Sequence, residues 1–231
     1  MFFSSSRSGT LKSAGYEAGR FQEIDIATGN LLFDWNCLDN VHLNESYIQI
    51  NTTNGSGANP GSPYDYFHIN MIDKDDSGNY LISGRHTNTV NWQVDANAQF
   101  QLQHDVRWMP NTNDTITIFD NGSTGFLNTK LSRGAIIQLH PTNMTATLVQ
   151  EYPNPDQITS QSQGNIEILP NAMLLSTGTE GILYHARSSA DQGTMSYRAF
   201  RSNWTGTALR EIPAIYATTP SNSSISTVFM S

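Results

Sequence analysis

Three histidines fall within the stretch 63–108, each beside a hydrogen-bonding or charged neighbour: Asp65-Tyr66-Phe67-His68-Ile69-Asn70, Ser83-Gly84-Arg85-His86-Thr87 and Leu102-Gln103-His104-Asp105-Val106-Arg107-Trp108. They are half of the six histidines in the chain. Imidazole has its ordinary pKa nearest neutrality, so a convergent set can move protons, attack an electrophile or bind a metal. His68, His86 and His104 are the candidate catalytic residues, and Asn70, Arg85 and Trp108 are the candidate substrate-binding residues around them. Each also has a plainer reading. An interior histidine can be satisfied by a neighbouring amide, Arg85-His86 can end a strand, and Trp108 can pack between sheets. A metal centre would need three imidazoles at short range. No metal and no cofactor is assigned.

Whether these residues converge depends on the elements that carry them. Phe21-Gln-Glu-Ile-Asp-Ile26 alternates apolar and polar, Ala27-Thr-Gly-Asn30 turns, and Leu31-Leu-Phe-Asp-Trp35 returns. This is a strand-turn-strand pattern with Gly29 free to take a positive φ. It recurs about fifty residues later as a strand over Tyr66–Ile72, an acidic turn ending at Gly78, and a strand over Asn79–Gly84. Asp73, Asp75, Ser77 and Gly78 match the first half of a calcium loop, but the twelfth position is Gly84 where a bidentate Glu is required. An acidic hairpin turn is therefore expected. Further pairs follow at 115–122, 134–152 and 165–176, with Asp120-Asn121-Gly122 as a tight-turn signal. No window shows a 3.6-residue period, and 51–62, rich in Asn, Gly and Ser, reads as an exposed flexible loop.

The expected class is all-β, built from short antiparallel hairpins. A recurrence of about 40–50 residues is the length of one propeller blade. The 231 residues supply about four to five blades' worth of strands, so the expectation is one partial β-propeller domain over 1–231. Between Val90 and Asp95 only four residues stand where a strand, a turn and a second strand would be needed.

Charged residues make up 14% of the chain and net charge is −8. Phosphate binding needs a basic face, so a nucleic-acid partner is not expected. The single cysteine, Cys37, excludes an intrachain disulfide and reads as a small buried group. No apolar run is long enough to span a membrane. Sequons begin at Asn44, Asn51, Asn54, Asn113, Asn121, Asn143, Asn203 and Asn222, which favours a secretory or extracellular glycoprotein, although the N-terminus shows no apolar signal region.

Phe21-Gln-Glu-Ile-Asp-Ile-Ala-Thr-Gly, Asp65-Tyr-Phe-His-Ile-Asn, Ser83-Gly-Arg-His-Thr, Gln103-His-Asp-Val-Arg-Trp, Phe119-Asp-Asn-Gly, Ser132-Arg-Gly, Met144-Thr-Ala-Thr-Leu-Val-Gln-Glu-Tyr and Ser196-Tyr-Arg-Ala-Phe-Arg occur in that order. In this arrangement the chain resembles the arylsulfate sulfotransferase (arylsulfotransferase) family, in its fungal-type branch, from about residue 19 to 206. The resemblance implies a β-propeller whose channel holds histidines and an arginine. It also implies transfer of a sulfuryl group from an aryl sulfate to a phenol through a transiently sulfated histidine, without a nucleotide donor. Carried over by motif, His68 and Asn70 fall on the His-x-Asn signature, Gln103 and His104 on the Gln-His signature, and Arg133 on the arginine beyond Asp-Asn-Gly. Arg133 would clamp sulfate oxygens in fork geometry. The family's sulfated histidine lies in a later Gly-rich strand. The comparable stretch here, Ser176–His185, places His185 in a different context. The implied partners are a small aryl sulfate and a phenol. The alternative from another class is a non-catalytic propeller that serves as a ligand- or partner-binding scaffold.

Overall fold

The computed structural model describes residues 2–11, 14–51, 53, 55–59, 61–87, 92–123, 130–154, 157, 159–160, 162–169, 172–175, 199–201 and 228–230. Among them the regular structure is almost wholly strand. The helices are one turn, α1 (Cys37–Asn40), and 3-10 turns such as Leu43–Glu45 and Ala96–Ala98. This agrees with the all-β expectation. No sheet among the described residues closes on itself.

The first sheet is a meander of β1 (Phe2–Leu11), β2 (Ala14–Ile24) and β3 (Leu31–Asn36), all antiparallel. Gly29 adopts φ +73° in the turn before β3, as the Ala-Thr-Gly-Asn signal requires. The two-residue β4 (Tyr64–Asp65) runs parallel to β2, pairing Tyr16 with Tyr64 and Glu17 with Asp65. This parallel pairing is not legible in the hairpin pattern, because it joins segments separated by the whole 25–63 connection. The sheet is sealed by Ala18, Cys37, Tyr64, Tyr66 and Phe67, packed against Trp35, Ile48, Ile69 and others. Cys37 is wholly buried and its Sγ accepts from the Gly19 amide at 3.0 Å, consistent with the small-apolar reading.

The run 66–72 is not one strand. The chain bends at Tyr66-Phe67, His68 takes φ +51°, and only then does β5 (Ile69–Lys74) begin. It pairs with β6 (Tyr80–Gly84) across the acidic turn. There Asp75 accepts from the Asn79 backbone and side-chain nitrogens, both at 2.8 Å, and Gly78 takes φ +90°. The carboxylate thus builds the turn itself. The stretch 51–62 is also more constrained than its composition implies. The Gly57 amide donates to Ser62 O at 2.7 Å, and Gly57 O accepts from the Gly15 amide at 3.0 Å, tying the loop to β2.

The largest sheet is the antiparallel meander β8 (His104–Trp108), β9 (Thr115–Asp120), β10 (Arg133–His140) and β11 (Thr145–Pro153). Two-residue β7 (Gln93–Val94) adds to the outer edge, parallel to β11. All six residues of β9 are buried, so its alternation is between two covered faces. On one, Val106, Ile116, Ile118, Ala135, Ile137 and Ala146 form the main core; on the other, Ile136 packs with Ile166. Asp120-Asn121-Gly122 does not close a tight hairpin here. It opens the long 121–132 connection, whose base is pinned by Lys130 N donating to Gly122 O at 3.0 Å. The hairpin of β12 (Ile166–Leu169) and β13 (Ala172–Leu175) and the pair β14 (Ala199–Arg201) and β15 (Val228–Met230) complete the strands. His185 and Trp204 lie outside the described residues.

Candidate functional site

The bend at Tyr66-Phe67 folds His68 back over Asp65, three residues earlier. Nδ1 of His68 donates to Oδ2 of Asp65, and Nδ1 of His86 donates to the Asp65 backbone carbonyl at 2.7 Å. Carbonyls and carboxylates only accept, so both bonds require the proton on Nδ1 and leave the lone pair of each neutral ring on Nε2. The two rings lie with centroids 5.1 Å apart. The backbone holds them together as well, because Arg85 N donates to His68 O at 3.1 Å and His86 N to Phe67 O at 3.3 Å. His68 keeps 41% of its side-chain surface exposed, whereas His86 keeps 16%. Burial pushes the His86 pKa down, and Asp65 only partly offsets it. For Asp65, burial pushes up but the His68 hydrogen bond and the two imidazoles outweigh it, holding the carboxyl below its ordinary value.

Asp65, His68 and His86 each offer one ligand atom, all within 4.8 Å of one another, so this group could hold a divalent cation. The Nδ1 atoms are already engaged as donors, however, and ligation through them would break both bonds to Asp65.

His104 is built differently. It starts β8 and is only 4% exposed. Its Nδ1 donates to Asn121 Oδ1 at 2.7 Å and lies 3.0 Å from Leu102 O, while Nε2 accepts from the Gln163 amide at 3.2 Å. Asn121 Nδ2 donates to Gln163 O at 2.9 Å, which fixes the orientation of the amide. Burial and the nearby charge of Arg85 push the His104 pKa to about 4, against the Asn121 bond, so the ring is neutral at ordinary pH. Both nitrogens are occupied, and a nucleophilic or acid–base role for His104 is not supported by this geometry. A regular strand would put Asp105 and Arg107 on one face away from His104. A bulge between His104 and Arg107, with Asp105 at φ +50°, breaks that alternation. Asp105 is turned inward, where it accepts from Arg107 Nε at 2.9 Å.

Asn70 and Gln103 tie the two histidine elements together. Asn70 Nδ2 donates to the Gln103 carbonyl, and Gln103 Nε2 donates to Gly84 O at 3.0 Å, just before Arg85-His86. The Arg85 carbonyl accepts from the Tyr47 hydroxyl at 2.6 Å. The Arg85 guanidinium is close enough to act electrostatically on Tyr47, His86 and His104 alike.

Arg133 is not brought to that cluster. Its Nε donates to buried Asp120 at 3.1 Å, its NH1 to Glu151, and its NH2 to the Asn97 and Gln99 carbonyls at 2.8 and 3.0 Å. The fork is already filled, so its sulfate-clamp role finds no support. Arg133 and Lys130 together neutralise Asp120, whose neighbour Asn121 holds His104. Trp108 ends β8, beyond the bulge and opposite Ile116 whereas His104 is opposite Phe119, and its amide donates to Asp73 at 2.9 Å. It lines a groove of about 190 Å3 with Arg107, Pro110, Thr117, Ile166 and Ile168. Trp108 is therefore set apart from the histidines. His42 is exposed, and His140 lies at 3.0 Å from Thr147 Oγ1.

The residues that order the site and were not singled out from sequence are Asp65, Asn121 and Gln163. Asp65 and Asn121 stand inside quoted motifs, three before His68 and directly before Gly122. Spacing alone does not distinguish them from turn residues.

A family model described as Arylsulfotransferase (ASST) matches residues 4–199, most of the chain. The chain belongs to the arylsulfotransferase family. The matched span includes every candidate residue in both histidine elements and the sheet behind them. Among curated proteins, no match is found. No helix among the described residues is long and apolar enough to cross a membrane.

Proposed function

We propose that this arylsulfotransferase-family protein moves a sulfuryl group from an aryl sulfate to a phenolic acceptor, without a nucleotide donor, at the Asp65–His68–His86 cluster. One observation carries the reading. Two imidazoles share one aspartate with their rings 5.1 Å apart, and the Nδ1 bonds leave the lone pair of each neutral ring on Nε2. Sulfuryl transfer needs a nucleophile, a group to take the acceptor's proton, and positive charge near the sulfate oxygens. His68 and His86 can supply the first two and Arg85 the third. His104, buried and neutral, supports the platform through Leu102 and Asn121. Asn70 and Gln103 hold the two histidine loops at fixed separation.

For the scaffold we propose that the β8–β11 meander is one propeller blade, since four consecutive antiparallel strands make such a unit. The β5–β6 hairpin would then begin the neighbouring blade, next to β8. A secretory origin fits the exposure of Asn44, Asn51, Asn113 and Asn143, which all begin sequons. The non-catalytic scaffold reading draws on the occupied Arg133 fork.

The test mixes the folded chain with para-nitrophenyl sulfate and a second phenol. The proposal expects release of nitrophenol and appearance of the second aryl sulfate, with no nucleotide added. Hydrolysis-free, transfer-free protein that is demonstrably folded would leave the scaffold reading in its place.

A further inference from the structure

We propose that Asp65, His68 and His86 form a binding site for a divalent transition ion of the zinc class, and that the ion, once bound, shuts the cluster to sulfuryl transfer. The site stands on geometry and donor chemistry. The inhibition rests on the transfer reading above, because the ion and that chemistry would use the same two imidazoles.

Among the described residues, this is the one group of three histidine, cysteine or carboxylate side chains whose ligand atoms all lie within 4.8 Å of one another. Asp65 Oδ2 is common to both rings: it touches Nδ1 of His68 and lies 3.8 Å from Nδ1 of His86. A tetrahedral zinc ion with nitrogen and oxygen ligands at about 2.0–2.2 Å holds those atoms about 3.3 Å from each other. Reaching that spacing asks His68 to draw back from the carboxylate and His86 to close on it. His68 has room to swing, because much of its side chain faces solvent. The backbone under both rings is already fixed. Arg85 N donates to His68 O and His86 N to Phe67 O, while Ser46 Oγ and Tyr47 N donate to His86 O at 3.0 and 3.1 Å. Ligands held in place before the ion arrives lose little freedom when it binds.

The donor set selects the ion. Two imidazoles and one carboxylate suit zinc and its neighbours in the first transition row, whereas calcium and magnesium need more oxygen ligands than the cluster offers. Three protein ligands leave the fourth tetrahedral position to water, and all three side chains keep some exposure through which ion and water can enter. The exchange balances. In the neutral cluster each ring carries its proton on Nδ1; on ligation there the proton moves to Nε2 by way of solvent, with no net release. Two hydrogen bonds to Asp65 give way to three coordination bonds, one of them to its carboxylate. The Arg85 charge opposes a second cation beside His86, and the carboxylate offsets it. With Nδ1 on the ion and Nε2 protonated, neither ring has a lone pair left to attack sulfur or take a proton, so occupancy stops transfer.

The experiment titrates the metal-stripped full chain with Co2+, whose visible absorption reports a tetrahedral nitrogen and oxygen site, then displaces it with Zn2+. Nitrophenol release from para-nitrophenyl sulfate is followed in parallel. One ion per chain is expected. Affinity should fall at least about tenfold in Asp65→Asn and in His68→Gln, both melting near wild type, and stay unchanged in His42→Ala, an exposed histidine outside the cluster. Nitrophenol release should fall in step with Zn2+ occupancy and return on chelation. The site is overturned if wild type takes up no ion, if His68→Gln binds like wild type, or if His42→Ala weakens binding as much as His68→Gln does. The inhibition is overturned if zinc-loaded protein turns over at the stripped rate, or if stripping abolishes turnover and zinc restores it. Folded protein that binds the ion at these residues but never releases nitrophenol supports the site and removes the transfer reading alone.

Discussion

Acidification is expected to weaken the fold through His104. The ring is 4% exposed, donates from Nδ1 to Asn121 and accepts at Nε2 from the Gln163 amide. Protonation would bury a charge and set a new N–H against that amide, which is why its pKa falls from 6.5 to about 4. In the unfolded chain the same histidine titrates near its ordinary value. Between about pH 4 and 6.5 the unfolded state therefore binds a proton that the folded state refuses, and stability rises with pH across this window. At 1.36 kcal/mol per pH unit the whole gap is worth about 3 kcal/mol, of which about 2 kcal/mol is lost between pH 7 and 4.5. His86 is shifted in the same direction and adds to the slope. Asp65 is held below its ordinary carboxyl value, so its stabilisation persists through this window and is lost at lower pH. His104→Gln keeps a polar side chain but cannot titrate. Urea unfolding at the two pH values, followed by tryptophan fluorescence, should show wild type losing about 2 kcal/mol more than His104→Gln. Equal losses would refute the assignment of His104 as a buried neutral ring.

Gly122 and Gly29 both sit at positive φ, but a Cβ on Gly122 would meet the Lys130 carbonyl oxygen at 2.4 Å whereas Gly29 has nothing within 4 Å. Thermal melts should show Gly29→Ala costing about 1 kcal/mol and Gly122→Ala clearly more; equal shifts would contradict the close packing at the base of 121–132. Arg133→Met leaves buried Asp120 with Lys130 alone. It should destabilise by about 3 kcal/mol while the surviving folded fraction keeps the KM for aryl sulfate; a selective rise in KM would restore Arg133 as a sulfate clamp. In a secretory host, glycosidase-sensitive modification is expected at Asn44, Asn51, Asn113 and Asn143, which are exposed, and not at Asn121, which is wholly buried. Occupancy at Asn121 would contradict the fold around His104.

The strands were legible wherever a two-residue alternation met a glycine able to take positive φ, as at Gly29 and Gly78. They were less legible where polar groups override the alternation. Tyr66-Phe67 read as strand because both are strand formers, yet they form the bend that brings His68 back to Asp65. β9 shows alternation although both of its faces are buried, so its burial could not be read from pattern. His68, His86, Arg85, Asn70 and His104 were identifiable by type, and the structure gathers them around Asp65 and Gln103. Arg133 stands where the family resemblance expects the arginine beyond Asp-Asn-Gly, and the fork geometry of its guanidinium explains why Asp120 and Glu151 claim it. Which imidazole keeps an open nitrogen depends on a hydrogen bond to Asn121 and one from Gln163, the latter about sixty residues from His104 in sequence, and no local spacing encodes that.

The most direct test is intact mass of the folded chain during turnover of an aryl sulfate, before and after a second phenol is added. A histidine-mediated exchange predicts a mass gain of one sulfuryl group that forms as the first phenol is released, disappears when the second phenol is added, and is absent in His68→Ala. Turnover with no such adduct, or an adduct that the second phenol does not discharge, would contradict transfer through the Asp65–His68–His86 cluster.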